Sequence, residues 1–277
     1  MKPEVGLHKD VPEAVYHSWE AVNNSWLKHF DRSAAHAHWD RLYPSPQTPA
    51  MALGSAVHRG ILEPHRFEEE YCRSIKCDRR TKVGKADWGA FVAKNADKEI
   101  LKPEEFDACV GMMNSAWKDT AIADILKSPG HTEVSAAWVD EETGILCKGR
   151  MDRVSQWEGW TWLWDLKTTE DASEKEFRRA ISKYDYHCQA AHYLDGLNAL
   201  APASRRFGII AIEKKPPHCA AVYEMDPDDI EMGRYDNAQR MLKCQEALES
   251  DNWPGYPSGI KTIQLPGWRR KAYEYGD

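Results

Sequence analysis

The sequence predicts an α/β fold in which a central mixed β-sheet is flanked by helices. Three observations predict it. Between Glu133 and Lys167, three segments with strand-like composition are joined by short turns. Apolar residues at helical spacing stand on either side of that meander. Two further strand-like runs and a long final helix then close the chain.

Each element has its own warrant. Val11, Val15, Trp19, Val22 and Trp26 recur at helical spacing and predict a helix over Val11 to Phe30. Three prolines between Tyr43 and Pro49 demand a loop. A second helix runs from about Ala50 to Glu63, stopped by Pro64, with Gly54, His58 and Leu62 on one face. Cys72 to Lys85 is polar and basic and reads as an exposed loop. Pro103 opens a long helix to about Leu126, ended by Ser128-Pro129-Gly130. Strands follow over Glu133–Val139, Ile145–Val154 and Thr161–Lys167, with turns at Glu142-Thr143-Gly144 and Glu158-Gly159. Helices over Glu174–Ser182 and Asp185–Leu200 lead to strands Phe207–Glu213 and Cys219–Glu224 around the turn Lys214–His218. The last helix spans about Asp228 to Ser250. No repeat or low-complexity linker divides the chain. One domain over 1–277 is therefore expected, with a helical N-terminal segment over 1–50 and an irregular tail over 251–277.

Composition narrows the class. Apolar residues make up 42% and charged residues 29%, the balance of a globular protein. Met1 to Ser18 lacks the apolar run of a signal peptide, and no stretch is long and apolar enough for a membrane span, so a cytoplasmic protein without membrane contact is expected. Seven scattered cysteines form no CxxC pair, which predicts buried thiols and neither a zinc ribbon nor a disulfide framework. The pair His36/His38 has no neighbouring acids and reads as surface, and His187/Cys188 is a weak zinc candidate. A net charge of −7 argues against a protein that coats nucleic acid, yet basic clusters exist that a local groove can use. They are Arg79-Arg80-Thr81-Lys82 with Lys85, Arg178-Arg179 with Lys183, Lys214-Lys215, and Arg269-Arg270-Lys271.

The informative constellation lies in the meander. Strand side chains alternate, so Asp165 and Lys167 share one face while Trp162, Trp164 and Leu166 take the other. On the preceding strand, Asp152 is expected to share its face with Lys148 and Arg150, opposite Ile145, Cys147 and Met151. A hairpin through Gln156–Gly159 would superpose the two polar faces. Two carboxylates so placed repel each other unless a cation lies between them. Oxygen ligands point to Mg²⁺ or Mn²⁺. Singly, each residue has an ordinary explanation: Asp152 in an ion pair with Arg150 or Arg153, His58 packed in a core, Gln189 and Tyr193 as a buried polar pair.

In order along the chain, Gly54-x-x-x-His58, Asp152, Asp165-Leu166-Lys167 and Gln189-x-x-x-Tyr193 resemble the PD-(D/E)XK nuclease superfamily, with its restriction-endonuclease-like core. Thr143-Gly144-Ile145-Leu146-Cys147 leading into Arg150-x-Asp152, and Trp253-Pro254-Gly255-Tyr256, are similar to the RecB and RecE branch, above all RecE-type (exonuclease VIII) phage and prophage exodeoxyribonucleases. The resemblance runs from about Ala50 to Trp268.

It implies roles residue by residue. Asp152, Asp165 and the Leu166 carbonyl would hold the metal, Glu133 would complete its shell, and Lys167 would orient the nucleophile. His58 would reach the metal or the scissile phosphate. Gln189 and Tyr193 would hydrogen-bond the DNA backbone or the lysine. The implied activity is 5′→3′ exonucleolysis of linear double-stranded DNA in phage-type recombination, beside a single-strand annealing protein. The implied assembly is a homo-oligomeric ring in a bacterial cytoplasm, from a phage or prophage gene. Three alternatives stay open: a RecB-like nuclease on single strands or flaps, whose relatives carry iron–sulfur cysteines, an inactive DNA-binding assembly module, and a hydrolase of another phosphoester.

Overall fold

The computed structural model describes residues 1–46, 48–267 and 269–270. Trp268, Lys271 and the rest of the expected tail to residue 277 therefore lie outside the described residues. In chain order the elements are β1 (Gly6–His8), α1 (Glu13–Ser18), α2 (Asn24–Leu27) with a 3₁₀ turn (Lys28–Asp31), α3 (Ala34–Leu42), α4 (Pro49–Leu62), α5 (Pro64–Glu70) and β2 (Tyr71–Arg73). Then come α6 (Lys82–Lys94), β3 (Glu99–Leu101), α7 (Pro103–Lys118), α8 (Thr120–Lys127), β4 (Gly130–Val139), β5 (Leu146–Trp157) and β6 (Trp160–Thr169). The chain continues through α9 (Glu174–Tyr184), α10 (Tyr186–Leu200), β7 (Arg205–Glu213), β8 (Ala220–Glu224) and α11 (Pro227–Ser250).

Six strands form one sheet in the order β1-β4-β5-β6-β7-β8. All neighbours are antiparallel except β6 and β7, which run parallel because α9 and α10 return the chain between them. The mixed sheet flanked by helices is as expected. One apolar layer joins Trp138, Met151, Leu163 and Ile209 to α10 and α11. The other joins Trp162, Trp164, Leu166 and Ile210 to α4, α7 and α8. Trp162 and Trp164, two apart on β6, stack at 4.5 Å with their planes 7° apart. Their large apolar area anchors the second layer.

Four sequence expectations need correction. The single helix over Val11 to Phe30 is broken, because Val22 bridges Cys147 of β5: Val22 donates to the Leu146 carbonyl at 2.9 Å and accepts from Lys148 at 2.7 Å. Pro64 ends α4 but also starts α5, since a proline at the first helical position loses no hydrogen bond. The basic stretch Cys72–Lys85 contains a β2 strand end and the start of α6, with Thr81 accepting the Gly84 N–H as its cap. The long helix after Pro103 divides at Asp119, whose carboxylate caps α8 by accepting the Ile122 N–H at 3.0 Å.

Helix α10 packs unusually close to the sheet. A Cβ on Gly196 would lie 2.5 Å from the Trp138 ring, and one on Gly149 would lie 2.9 Å from the Tyr193 ring. A helical glycine costs about 1 kcal/mol relative to alanine. At Gly196 that cost is offset by the approach that sets α10 against β4 and β5.

Candidate active site

The site is a fork between β5 and β6. These strands pair only from Arg153↔Trp164 to the hairpin end at Trp157↔Trp160. Beyond Trp164, β6 follows β7 as far as Thr169↔Glu213, while β5 stays with β4. Each strand then presents an open edge whose backbone groups need partners. Val22 and the imidazole of His192 take up the Lys148 main chain, His192 Nε2 lying 3.1 Å from its carbonyl. On β6, the N–H of Leu166 is taken by Asp152 Oδ2 at 2.7 Å. In a strand, the N–H and C=O of one residue point to the same edge, so the Leu166 carbonyl also faces the fork.

Alternation along β5 fails at Asp152. Cys147 and Met151 pack toward α10, and Gly149 lies beneath Tyr193. Past Asp152 the parity is reversed: Arg153 donates to the Ile125 carbonyl of α8 at 3.1 Å, Ser155 accepts from Trp164, and Val154 turns to the α10 side. The partner position on β4 is Glu133, held at φ +50°, and no ladder pair forms there although Thr132↔Arg153 and Val134↔Met151 flank it. A non-glycine residue in the left-handed region is uncommon and marks a local departure from the strand.

The expected coincidence of polar faces is therefore corrected. Lys148 and Arg150 lie on the side away from Asp165 and Lys167. Lys148 donates to the carbonyls of Tyr16 (3.0 Å) and Trp19 (2.8 Å), and Arg150 donates to Ser135 (3.0 Å) and the Val11 carbonyl (2.7 Å). Asp152 joins the site by pointing sideways into the fork, which strict alternation does not describe.

Around that fork the singled-out residues assemble. Asp165 is buried, and its Oδ1 accepts from Gln189 Nε2 at 2.8 Å. Its Oδ2 lies 2.6 Å from Lys167 Nζ but lacks a well-angled hydrogen bond. We treat that contact as an ion pair, because charge attraction does not depend on the donor angle. Gln189 also donates to Tyr193 Oη at 3.3 Å. His58, from α4 on the opposite layer, places Nδ1 3.4 Å from Asp152 Oδ2. Glu133 Oε2 lies 3.9 Å from Arg150 Nε.

Tyr186 escaped the sequence reading. Lys167 Nζ lies 4.9 Å from its ring centre. Tyr186, Gln189 and Tyr193 follow one another at helical spacings of three and four on α10, a signal that was present but indistinguishable from core aromatic spacing. The described basic clusters are engaged by local acids. Lys214 and Lys215 pair with Glu170 at 3.6 and 3.4 Å, Arg178 with Glu174, Arg179 with Glu176, and Arg80 with Asp78.

The electrostatics follow from the crowding of acids. Burial, then the charge of Asp165, push Asp152 up to about 7. Burial, then Asp152, likewise push Glu133 up to about 7. Burial opposes the charge on Lys167, but Asp165 and Asp152 outweigh it and hold the ammonium above its usual range. His58 is lowered by burial and by Lys167, against the pull of Asp165, Glu133 and the Leu166 backbone. Without a cation, then, the pocket tends to bind protons at its acids. A buried carboxylate oxygen without a proper donor, two acids that resist ionisation and a main-chain carbonyl on the same edge form a hard-oxygen donor set that fits a divalent cation.

Comparison with known proteins bears on the family and the fold. Residues 23–266 match the profile of a PDDEXK-like domain of unknown function, DUF3799. No curated protein matches the sequence. Among solved structures, a candidate exonuclease from Eubacterium rectale shares the fold with a TM-score of 0.61 at 14% identity, over 93% of this chain and 97% of that one. A second, SSO0001, overlaps 72% of this chain and 87% of its own at 16% identity, with a TM-score of 0.30. Among the described residues, no helix is long and apolar enough to cross a membrane.

Proposed function

Since the chain belongs to the PDDEXK-like domain family DUF3799, we propose that it is a metal-dependent deoxyribonuclease, a 5′→3′ exonuclease on linear double-stranded DNA. The observation that carries this reading is the fork, where Asp152 accepts the Leu166 N–H at 2.7 Å and, on the residues either side of Leu166, the Lys167 ammonium lies 2.6 Å from the Asp165 carboxylate. Asp152, Asp165 and the Leu166 carbonyl would hold Mg²⁺ or Mn²⁺, with Glu133 and His58 beside them. When bound, such an ion lowers the pKa of a coordinated water and offsets charge on the phosphate.

The rest is work for the chain itself. Lys167, kept protonated by its two acids, donates a hydrogen bond that orients the attacking water and offsets negative charge developing on its oxygen, the water's proton passing to bulk solvent. Gln189 holds the Asp165 carboxylate by its Oδ1 oxygen, so that Oδ2 faces the Lys167 ammonium. Tyr193 remains a phenol, since burial raises it well above its ordinary value, and is a hydrogen-bond donor to a phosphate oxygen. His58, lowered by burial and by Lys167, is neutral near pH 7 and would hold the metal through a nitrogen lone pair or donate a hydrogen bond to the phosphate. By the family resemblance, the substrate end would be a duplex terminus and the product strand would pass to a single-strand annealing protein, with copies of the chain forming a ring.

The test is one gel. Linear duplexes labelled at either 5′ or 3′ end are incubated with and without Mg²⁺. Metal-dependent shortening from the 5′ terminus is expected. Cleavage of closed circles at the same rate would make the enzyme an endonuclease, and no cleavage under Mg²⁺ or Mn²⁺ would remove the nuclease reading.

A further inference from the structure

A second group of metal-ligating side chains stands at the start of α10, outside the fork. Cys188 Sγ lies 3.5 Å from His187 Nε2 and 3.9 Å from Asp236 Oδ2 of α11. His187 Nε2 lies 3.5 Å from the same Asp236 oxygen. The Asp185 carboxylate is within 4.8 Å of both the imidazole and the thiol. With zinc at about 2.3 Å from sulfur and about 2.0–2.2 Å from nitrogen and oxygen, the edges of a tetrahedral site measure about 3.4–3.6 Å. The three observed edges already have nearly that size.

The backbone explains why these side chains converge. Asp185 sits at φ +53°, in the left-handed region, between the end of α9 and the start of α10. That conformation turns the chain so that side chains on the first turn of α10 meet α11. Gly233 allows the two helices to approach, because a Cβ there would lie 2.4 Å from the His187 carbonyl oxygen. Asn237 ties the pair further by donating to the Cys188 carbonyl at 2.7 Å.

We propose that Cys188, His187 and Asp236, with Asp185 as fourth ligand, form a structural zinc site that clamps α10 to α11. Binding replaces the thiol proton with a sulfur–zinc bond, and solvent takes the proton. Arg240 is the neighbour that argues against a cation, since it donates to Asp31, to Asp185 Oδ2 at 3.2 Å and to the Cys188 sulfur. The local balance answers it. A Cys188 thiolate with Asp185, Asp236 and Asp31 supplies four negative charges, Arg240 and Lys28 two positive ones, and a divalent ion closes the difference. The clamp would position Tyr186, which stands among its ligands at the start of α10, and Gln189 and Tyr193, which follow on the next turns.

Cobalt substitution tests this without reference to activity. Purified protein is stripped with chelator and titrated with Co²⁺, in the wild type and in a D152N/D165N background that removes the acids of the fork. Both should develop a sulfur-to-cobalt charge-transfer band of the same amplitude, whatever further Co²⁺ the fork of the wild type takes up, and Cys188→Ser should lose the band. Because Cys188 is buried and a loss of the band through unfolding must be told apart from loss of a ligand, His187→Gln provides the second arm, read as zinc affinity by chelator competition and expected to fall about tenfold or more. A wild type without the band at saturating Co²⁺, a band that persists in Cys188→Ser, or unchanged zinc affinity in folded His187→Gln would overturn the site. Each of those results leaves the nuclease reading untouched.

Discussion

Asp152 Oδ2 accepts the main-chain N–H of Leu166 at 2.7 Å, so a side-chain carboxylate stands where a neighbouring strand's carbonyl would otherwise be. This bond explains how an acid can be fixed at a point where two strands separate. It also places the charged group beside Asp165, the next residue back along β6, and beside Lys167, the next one forward from Leu166.

Removing charge without volume separates chemistry from packing at this point. Asp152→Asn keeps an oxygen for the Leu166 N–H but loses the metal-binding charge. Nuclease activity should fall by more than the roughly 10–100-fold typical of an outer-shell partner. In metal-free buffer at pH 8, its thermal midpoint should be at or above that of the wild type, because a buried like-charge contact is gone. A wild-type cleavage rate would remove Asp152 from the site.

Gln189 and Tyr193 should behave as positioning residues for Asp165. Gln189→Ala should cost about 10–100-fold in kcat, with a weaker metal affinity, since Asp165 Oδ1 loses its donor. Tyr193→Phe removes a weaker 3.3 Å contact and should cost less. Equal losses in both variants, with metal affinity unchanged, would contradict this order.

Gly149→Ala should destabilise the fold by about 1–3 kcal/mol, the usual cost of overpacking. The added methyl would stand 2.9 Å from the Tyr193 ring, which is fixed between α10 and the sheet. Urea denaturation reads this directly. A neutral effect would mean that α10 can move outward at little cost.

Metal should stabilise the protein more at high pH than at low. Asp152 and Glu133 have folded values raised to about 7 from ordinary values of 3.8 and 4.5. For an acid with a raised folded pKa, the folded state binds more protons than the unfolded one. Stability without metal therefore falls as pH rises from about 4 to about 7 and then levels off. A divalent ion offsets the two charges only once they exist. The rise in thermal midpoint on adding Mn²⁺ should thus be small at pH 5 and large at pH 8. A shift independent of pH would show that the ion binds elsewhere.

Much of this was legible in the residues. The meander, the mixed sheet and the shared face of Asp165 and Lys167 follow from period-two alternation, a local property of the chain. The pairing of Gln189 with Tyr193 follows from helical spacing in the same way. Other relationships had no local signal. Whether β5 and β6 stay paired past Arg153 depends on β7 and on Val22, distant segments that compete for their edges. The parity change at Asp152, the left-handed Glu133 opposite it and the approach of His58 from α4 all follow from that separation. The same holds for Asp236, which meets Cys188 only because α11 packs on α10. Sequence by itself determined which side chains carry charge and which strand or helix face they leave. Tertiary structure alone decided which faces meet, because an open backbone edge must be satisfied by whatever the rest of the fold brings to it.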